Sequence, residues 1–131
     1  MINNDSQYPR DWIKIAETDW KRVQRNLHED PALAAFYLQQ SLEKFLKGFL
    51  ISRGWELRRI HDLNTLLDEA IKHELDLEKF RGPCQKITSF YFIERYPFTA
   101  GAIITEERVR ELYEKVKELA DMIRKNFQDI K

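Results

Sequence analysis

Along this chain apolar residues recur at helical rather than strand spacing. Trp12, Ala16, Trp20, Val23 and Leu27 fall four, four, three and four residues apart, a stripe on one helix face. They predict a helix from about Arg10 to His28, with Pro9 in its first turn and Asp19 at the edge of the stripe. Asp30-Pro31 then reads as the N-cap and first residue of a second helix, which runs to about Arg53 with Gly54 as its C-terminal stop. Ala34, Leu38, Leu42, Phe45 and Phe49 share one face of it; Gln40, Glu43, Lys44 and Lys47 share the opposite face. Phe36 and Ile51 bound that polar face. A helix flanked by apolar residues on both sides is central, so the polar cluster is expected to line a groove or an interface. The competing reading is a solvated face carrying a Glu43–Lys47 pair one turn apart.

Asp62 is a natural N-cap for a third helix with the stripe Leu63, Leu66, Leu67, Ala70 and Ile71, fraying near Glu74. Gly82-Pro83 punctuates the chain and sets a fourth helix near Cys84, with Cys84, Ile87, Tyr91 and Arg95 on one face and Pro97 as its stop. Thr105 caps a fifth, from Glu106 to about Phe127, whose stripe includes Val109, Leu112, Val116, Leu119 and Ile123. Its outer face offers Arg110–Glu114 and Asp121–Lys125 pairs. No segment reads as a strand. The expectation is an all-α, five-helix up-and-down bundle with helices two and five central. It forms a single domain over residues 1–131, with an ordered core over about 10–128.

The chain's 131 residues suit one core. Lys and Arg number 22, as do Asp and Glu, so any basic site must be local. The single cysteine, Cys84, excludes an intrachain disulfide and fits a reducing, cytoplasmic setting. The N-terminus is polar, without the apolar core of a signal peptide, and no apolar run is long enough for a bilayer. Neither membrane, metal nor cofactor is expected, since no His or Cys cluster has ligand spacing.

The most aromatic segment, "SFYFIERYPF" at 89–98, carries Arg95 near its end. Two readings stand. In one, Arg95 is a structural partner for Asp19 or Glu43. In the other, Arg95 and Lys47 grip a phosphate while Tyr91, Tyr96 or Phe98 stacks on a base. His61-Asp62 could be a catalytic or metal pair; the favoured reading makes Asp62 the cap and His61 the residue before it, packing over the helix start. Arg58-Arg59 reads as a solvated basic loop that could meet a phosphate backbone.

The aspartate of helix one, "QQSLEKFLKGFL", "HDLNTLL" and "ERYP", in this order and at these separations, resemble the HEPN domain, the "higher eukaryotes and prokaryotes nucleotide-binding" family. The resemblance covers the chain from about Trp12 to the fifth helix. It implies an all-α bundle that forms a homodimer and works beside a minimal nucleotidyltransferase in a toxin–antitoxin-like pair, with a nucleotide or RNA as ligand. Many family members are metal-independent RNases built on an arginine, four to six residues, then a histidine, often followed one residue on by a tyrosine. Arg95 takes the arginine position, but Ala100 and Ala102 occupy the other two. Arginine does not exchange protons near neutral pH. The expectation is therefore a non-nucleolytic binding module with Arg95, Tyr96, Lys47, Glu43, Gln40, Tyr91 and Asp19 around an anion. The alternatives are an RNase toxin pairing Arg95 with an unrecognised acid–base residue, and a purely structural dimerisation domain.

Overall fold

A computed structural model of the chain describes residues 6–95 and 104–127; of 91–95 it describes the backbone alone. Helix α1 spans Pro9–Asn26, α2 Pro31–Ser52, α3 Leu63–Ile71, α4 Arg81–Arg95 and α5 Glu106–Lys125. No strand occurs among the described residues. The all-α bundle expected from the periodicity is what forms.

α1 and α2 make an antiparallel hairpin. Asp30 turns the chain by accepting from the Leu33 N–H at 3.2 Å, which satisfies a donor the first helical turn cannot use internally. Contacts then run in opposite directions along the pair. Arg22 lies over the Tyr37 ring, Ser41 Oγ donates to the Ala16 carbonyl at 2.8 Å, and Lys47 lies over the Trp12 ring. Gly48 lets the start of α1 approach closely: a Cβ there would sit 2.7 Å from Ile13 Cδ1 and 3.1 Å from the Pro9 carbonyl oxygen.

Helix α2 is buried on nearly every side from Ala34 to Leu50. The apolar side packs with Trp20 and Tyr113, Trp20 meeting Phe45 edge-on at 6.1 Å and Tyr113 at 4.8 Å. Only Leu33 and Phe36 stand exposed on it as large apolar residues. α5 is different. Its stripe is buried, but Glu107, Arg108, Glu111 and Glu114 face solvent. The expectation of two central helices is thus corrected: α2 is buried on nearly every side from Ala34 to Leu50, whereas α5 keeps a charged outer face. The expected ion pairs on α5 also shift: Arg110 pairs back to Glu106 and Asp121 pairs with Arg124, each about one turn away as before.

The connection from α2 to α3 is a strap rather than a free loop. Gly54 takes a φ of 88°, a left-handed conformation open to glycine. Trp55 N–H then bonds the Leu50 carbonyl at 2.9 Å and Gly54 N–H that of Ile51 at 3.0 Å, which closes the helix end. Trp55 and Ile60 pack against the core and return the chain to α2. Asp62 caps α3 by accepting from the Asn64 N–H and the Thr65 hydroxyl.

The region before α4 departs from expectation. A 3₁₀ turn over Leu75–Phe80 buries Leu77 and Phe80, and α4 follows directly at Arg81 rather than near Cys84. Gly82-Pro83 does not break the chain there, since a first-turn proline lacks only an N–H that would be unpaired anyway. Arg81 ties the junction down, reaching Glu78 at 2.7 Å and Asp68 at 2.6 Å. Cys84 is fully buried, and burial pushes its thiol up to about 12. No helix among the described residues is long and apolar enough to cross a membrane.

The close approach at Gly48 generates an expected outcome. Gly48→Ala gains helix propensity but must displace Ile13 and the first turn of α1, so it should lower unfolding free energy by about 1–2 kcal/mol. Urea denaturation checks this; an increase in stability would show that α1 yields at no cost.

Candidate functional site

The polar face of α2 does not open to bulk water. α1 and the strap rise on either side of it, and Thr88 of α4 contributes at one wall. Together they enclose a groove of about 1250 Å³. Its α2 floor holds Gln40, Glu43, Lys44 and Lys47, and its α1 wall holds Trp12, Asp19 and Arg22. The strap adds Arg58, Arg59 and His61, and Phe36 and Tyr37 stand at the aromatic end. Arg22, Lys44, Lys47, Arg58 and Arg59 outnumber Asp19, Glu43 and Asp62, so this groove is locally positive in a chain with formal net charge zero.

Glu43 organises the floor. It is 2% exposed, a carboxylate that would be costly to bury alone. Lys44 Nζ reaches it at 2.9 Å, Lys47 Nζ at 3.4 Å and His61 Nδ1 at 2.5 Å. Burial pushes its carboxyl up, but Lys44, Lys47 and the His61 hydrogen bond outweigh that and hold it below the ordinary range. Glu43 is therefore ionised at neutral pH. For the Lys47 ammonium the balance falls the other way. Burial dominates, Glu43 offsets only part of it, and its pKa is lowered. Lys47 also lies over the Trp12 ring, its Nζ 5.3 Å from the centroid. Lys44 bridges Glu43 to the Gln40 side-chain oxygen at 3.1 Å.

Asp19 is buried across the groove, and Arg22 Nη1 donates to it at 3.1 Å. Burial raises its carboxyl despite Lys44 and Arg22. The guanidinium of Arg22 lies 5.3 Å from the Tyr37 ring centroid, and Phe36 meets Tyr37 edge-on at 5.4 Å. The buried Thr88 hydroxyl has no hydrogen-bond partner among the described residues. These groups can hold an anion and stack an aromatic ring. Among the described residues no three His, Cys, Asp or Glu side chains come together as a metal site needs.

The structure brings four of the expected site residues together: Asp19, Gln40, Glu43 and Lys47. Arg95 is the last residue of α4, two turns beyond Thr88, and its side chain, like that of Tyr91, lies outside the described residues. Tyr96, Phe98, Ala100 and Ala102 lie outside them altogether. Among the described residues Glu43 is met by Lys44, Lys47 and His61, and Asp19 by Arg22; a pairing of either with Arg95 lies outside the described residues. The expectation for His61 is corrected, because it reaches back to Glu43 rather than packing over the α3 start. Trp12, Arg22 and Tyr37 are site residues that sequence reasoning did not find. Trp12 reads as part of the core stripe, and nothing in local spacing links residue 22 to 37 or 61 to 43.

The sequence model of one family, the HEPN domain, matches residues 9–126. No curated protein and no solved structure matches the chain.

Because Glu43 is depressed in the folded chain, its contribution is complete above the ordinary carboxylate range and is lost as pH falls through the folded value. Asp19, whose carboxyl is raised, works oppositely and is relieved on acidification. Glu43→Gln should cost about 2–3 kcal/mol at neutral pH, by leaving Lys47 without its counter-charge. It should also flatten the fall in melting temperature between about pH 5 and pH 3. Thermal melts across that range compare the two proteins; equal acid slopes would refute the role given to Glu43.

Proposed function

The chain belongs to the HEPN domain family, and we propose that within it this protein is a non-nucleolytic binding module. Its groove takes the phosphates and a base of a nucleotide or a short stretch of RNA. The observation that carries this is the groove itself. Cationic side chains concentrate at Arg22, Lys44, Lys47, Arg58 and Arg59 in a groove that Phe36 and Tyr37 also line, although the chain's formal net charge is zero. Cations that neutralise phosphates, next to aromatic faces that stack on bases, are the two elements of single-strand recognition. Arg95, Tyr91 and Tyr96, whose side chains lie outside the described residues, are proposed as further ligand contacts in this reading; the planar fork of an arginine suits a phosphate better than a lysine would.

The biological role that fits is partnership with a minimal nucleotidyltransferase in a toxin–antitoxin-like pair, in the cytoplasm. The family resemblance supports this. Ala100 and Ala102, in the slots where the RNase motif has histidine and tyrosine, support the non-nucleolytic character. The exposed Leu33 and Phe36 support a homodimer, which sedimentation at high protein concentration would detect. A second reading, a metal-independent RNase, is favoured by one observation: His61 is held by a buried carboxylate, the arrangement that orients an acid–base imidazole.

Calorimetry with nucleotides and short RNAs tests the proposal. Binding should weaken with salt. Arg58→Ala, at an exposed position, should leave the melting temperature nearly unchanged while binding falls by about 0.5–1.5 kcal/mol. Arg95→Lys should weaken binding by about 1.5–3 kcal/mol through loss of the bidentate contact. No binding by the wild type to any of these ligands would refute the groove as a phosphate site. RNA cleavage by the pure protein that disappears in His61→Gln would replace the binding module with the RNase. Absence of a nucleotidyltransferase on pull-down from the source cells would remove the partnership.

A further inference from the structure

His61 is tied at one ring nitrogen and presented at the other. Nδ1 donates to Glu43 Oε1, since an ionised carboxylate can only accept. The His61 side chain is 74% exposed while that of Glu43 is 2% exposed. In the neutral ring Nε2 is then the acceptor, and protonation turns it into a second donor. Imidazole is the side chain whose ordinary titration spans pH 5–8.

The charges around it decide what that proton does. α2 presents Glu43, Lys44 and Lys47; α1 presents Asp19 and Arg22; the strap presents Arg58, Arg59 and Asp62. Glu43 already accepts from two lysines, Asp19 accepts from Arg22, and Asp62 is engaged in the α3 cap. Among the described residues that line the groove, a positive charge gained at His61 therefore meets no idle carboxylate. It adds to the field of the groove, where an anion can use it.

We propose that His61 is a proton-gated oxyanion contact of the groove: neutral, it offers no Nε2 donor; protonated, it donates to a phosphate-ester oxygen. Glu43 acts through it as a positioning residue, fixing the ring so that the donor direction is set before the ligand arrives. By linkage, binding that uses the protonated ring takes up a proton, so affinity rises as pH falls. This rests on the groove taking phosphate esters, and it assigns to that site a residue and a pH dependence it did not otherwise have.

The probe that tests it is a short 2′-O-methyl oligouridylate with hydroxyl ends. Its diesters keep one charge each across the range, unlike a terminal phosphate with a second pKa near 6. Without a free 2′-hydroxyl it also cannot be cleaved by internal attack, so binding is read apart from any RNase activity. Wild-type affinity should rise about fivefold between about pH 8 and about pH 5.5. Calorimetry in buffers of differing ionisation enthalpy should register proton uptake. His61→Gln should remain at the alkaline affinity, and His61→Lys should hold the acid affinity at both ends. Asp19→Asn is the control, because Asp19 is the other groove carboxyl that burial pushes up; it should retain the rise. A flat wild-type profile, a rise that survives in His61→Gln, or a rise that vanishes in Asp19→Asn overturns the gate and leaves the phosphate groove standing. No binding at any pH overturns the groove and the gate together.

Discussion

A carboxylate cannot be buried without donors around it, and Glu43 places this requirement at the middle of the central helix. Lys44 and Lys47 come from the same helix, one residue and one turn away, so α2 brings two of its donors along. The third, His61, must be delivered by the strap. The left-handed Gly54, the closed end of α2 and the packing of Trp55 and Ile60 thereby acquire a shared consequence: they set where residue 61 arrives. The α1 wall is fixed as tightly. Gly48 admits Pro9 and Ile13, and Ser41 holds the Ala16 carbonyl, so Trp12 and Asp19 stand across from Glu43 at a set distance.

Such a polar layer is not a source of stability in itself. Replacing a buried ion cluster with apolar residues is often neutral or favourable, whereas removing one member is costly. The fold's own stability is drawn from the other face of α2, where Trp20 packs against Phe45 and Tyr113, and Arg124, held by Glu17 at 2.7 Å, lies over Trp20 and Phe45. The two sides of α2 therefore divide the labour: one side holds the bundle together, and the other keeps charges at low exposure beside the groove. That second arrangement is worth its cost where an anion must be drawn in, because partly desolvated charges act more strongly than solvated ones.

The helices themselves were legible in the chain. Spacing, Asp30-Pro31, Asp62, Thr105 and Gly54 fix where they begin and end, since capping and helical period are local physics. The groove was half legible: Gln40, Glu43, Lys44 and Lys47 share a face by period alone, and the apolar residues flanking them imply that this face is covered. The 3₁₀ turn before α4 was not legible, because its two buried residues, Leu77 and Phe80, are too few to establish a period.

What covers the polar face was decided only by tertiary structure. No local rule joins His61 to Glu43 across 18 residues, or sets Arg22 over Tyr37, because those meetings depend on how the strap returns and how closely α1 seats at Gly48. For the same reason the sequence leaves a solvated Glu43–Lys47 pair open beside the groove it favours, and the bundle buries the pair. The sequence by itself determined helical type, caps and the sidedness of α2. Packing decided that its charged side would be buried, and which distant residues would share that burial, because desolvation is a property of all the neighbours at once.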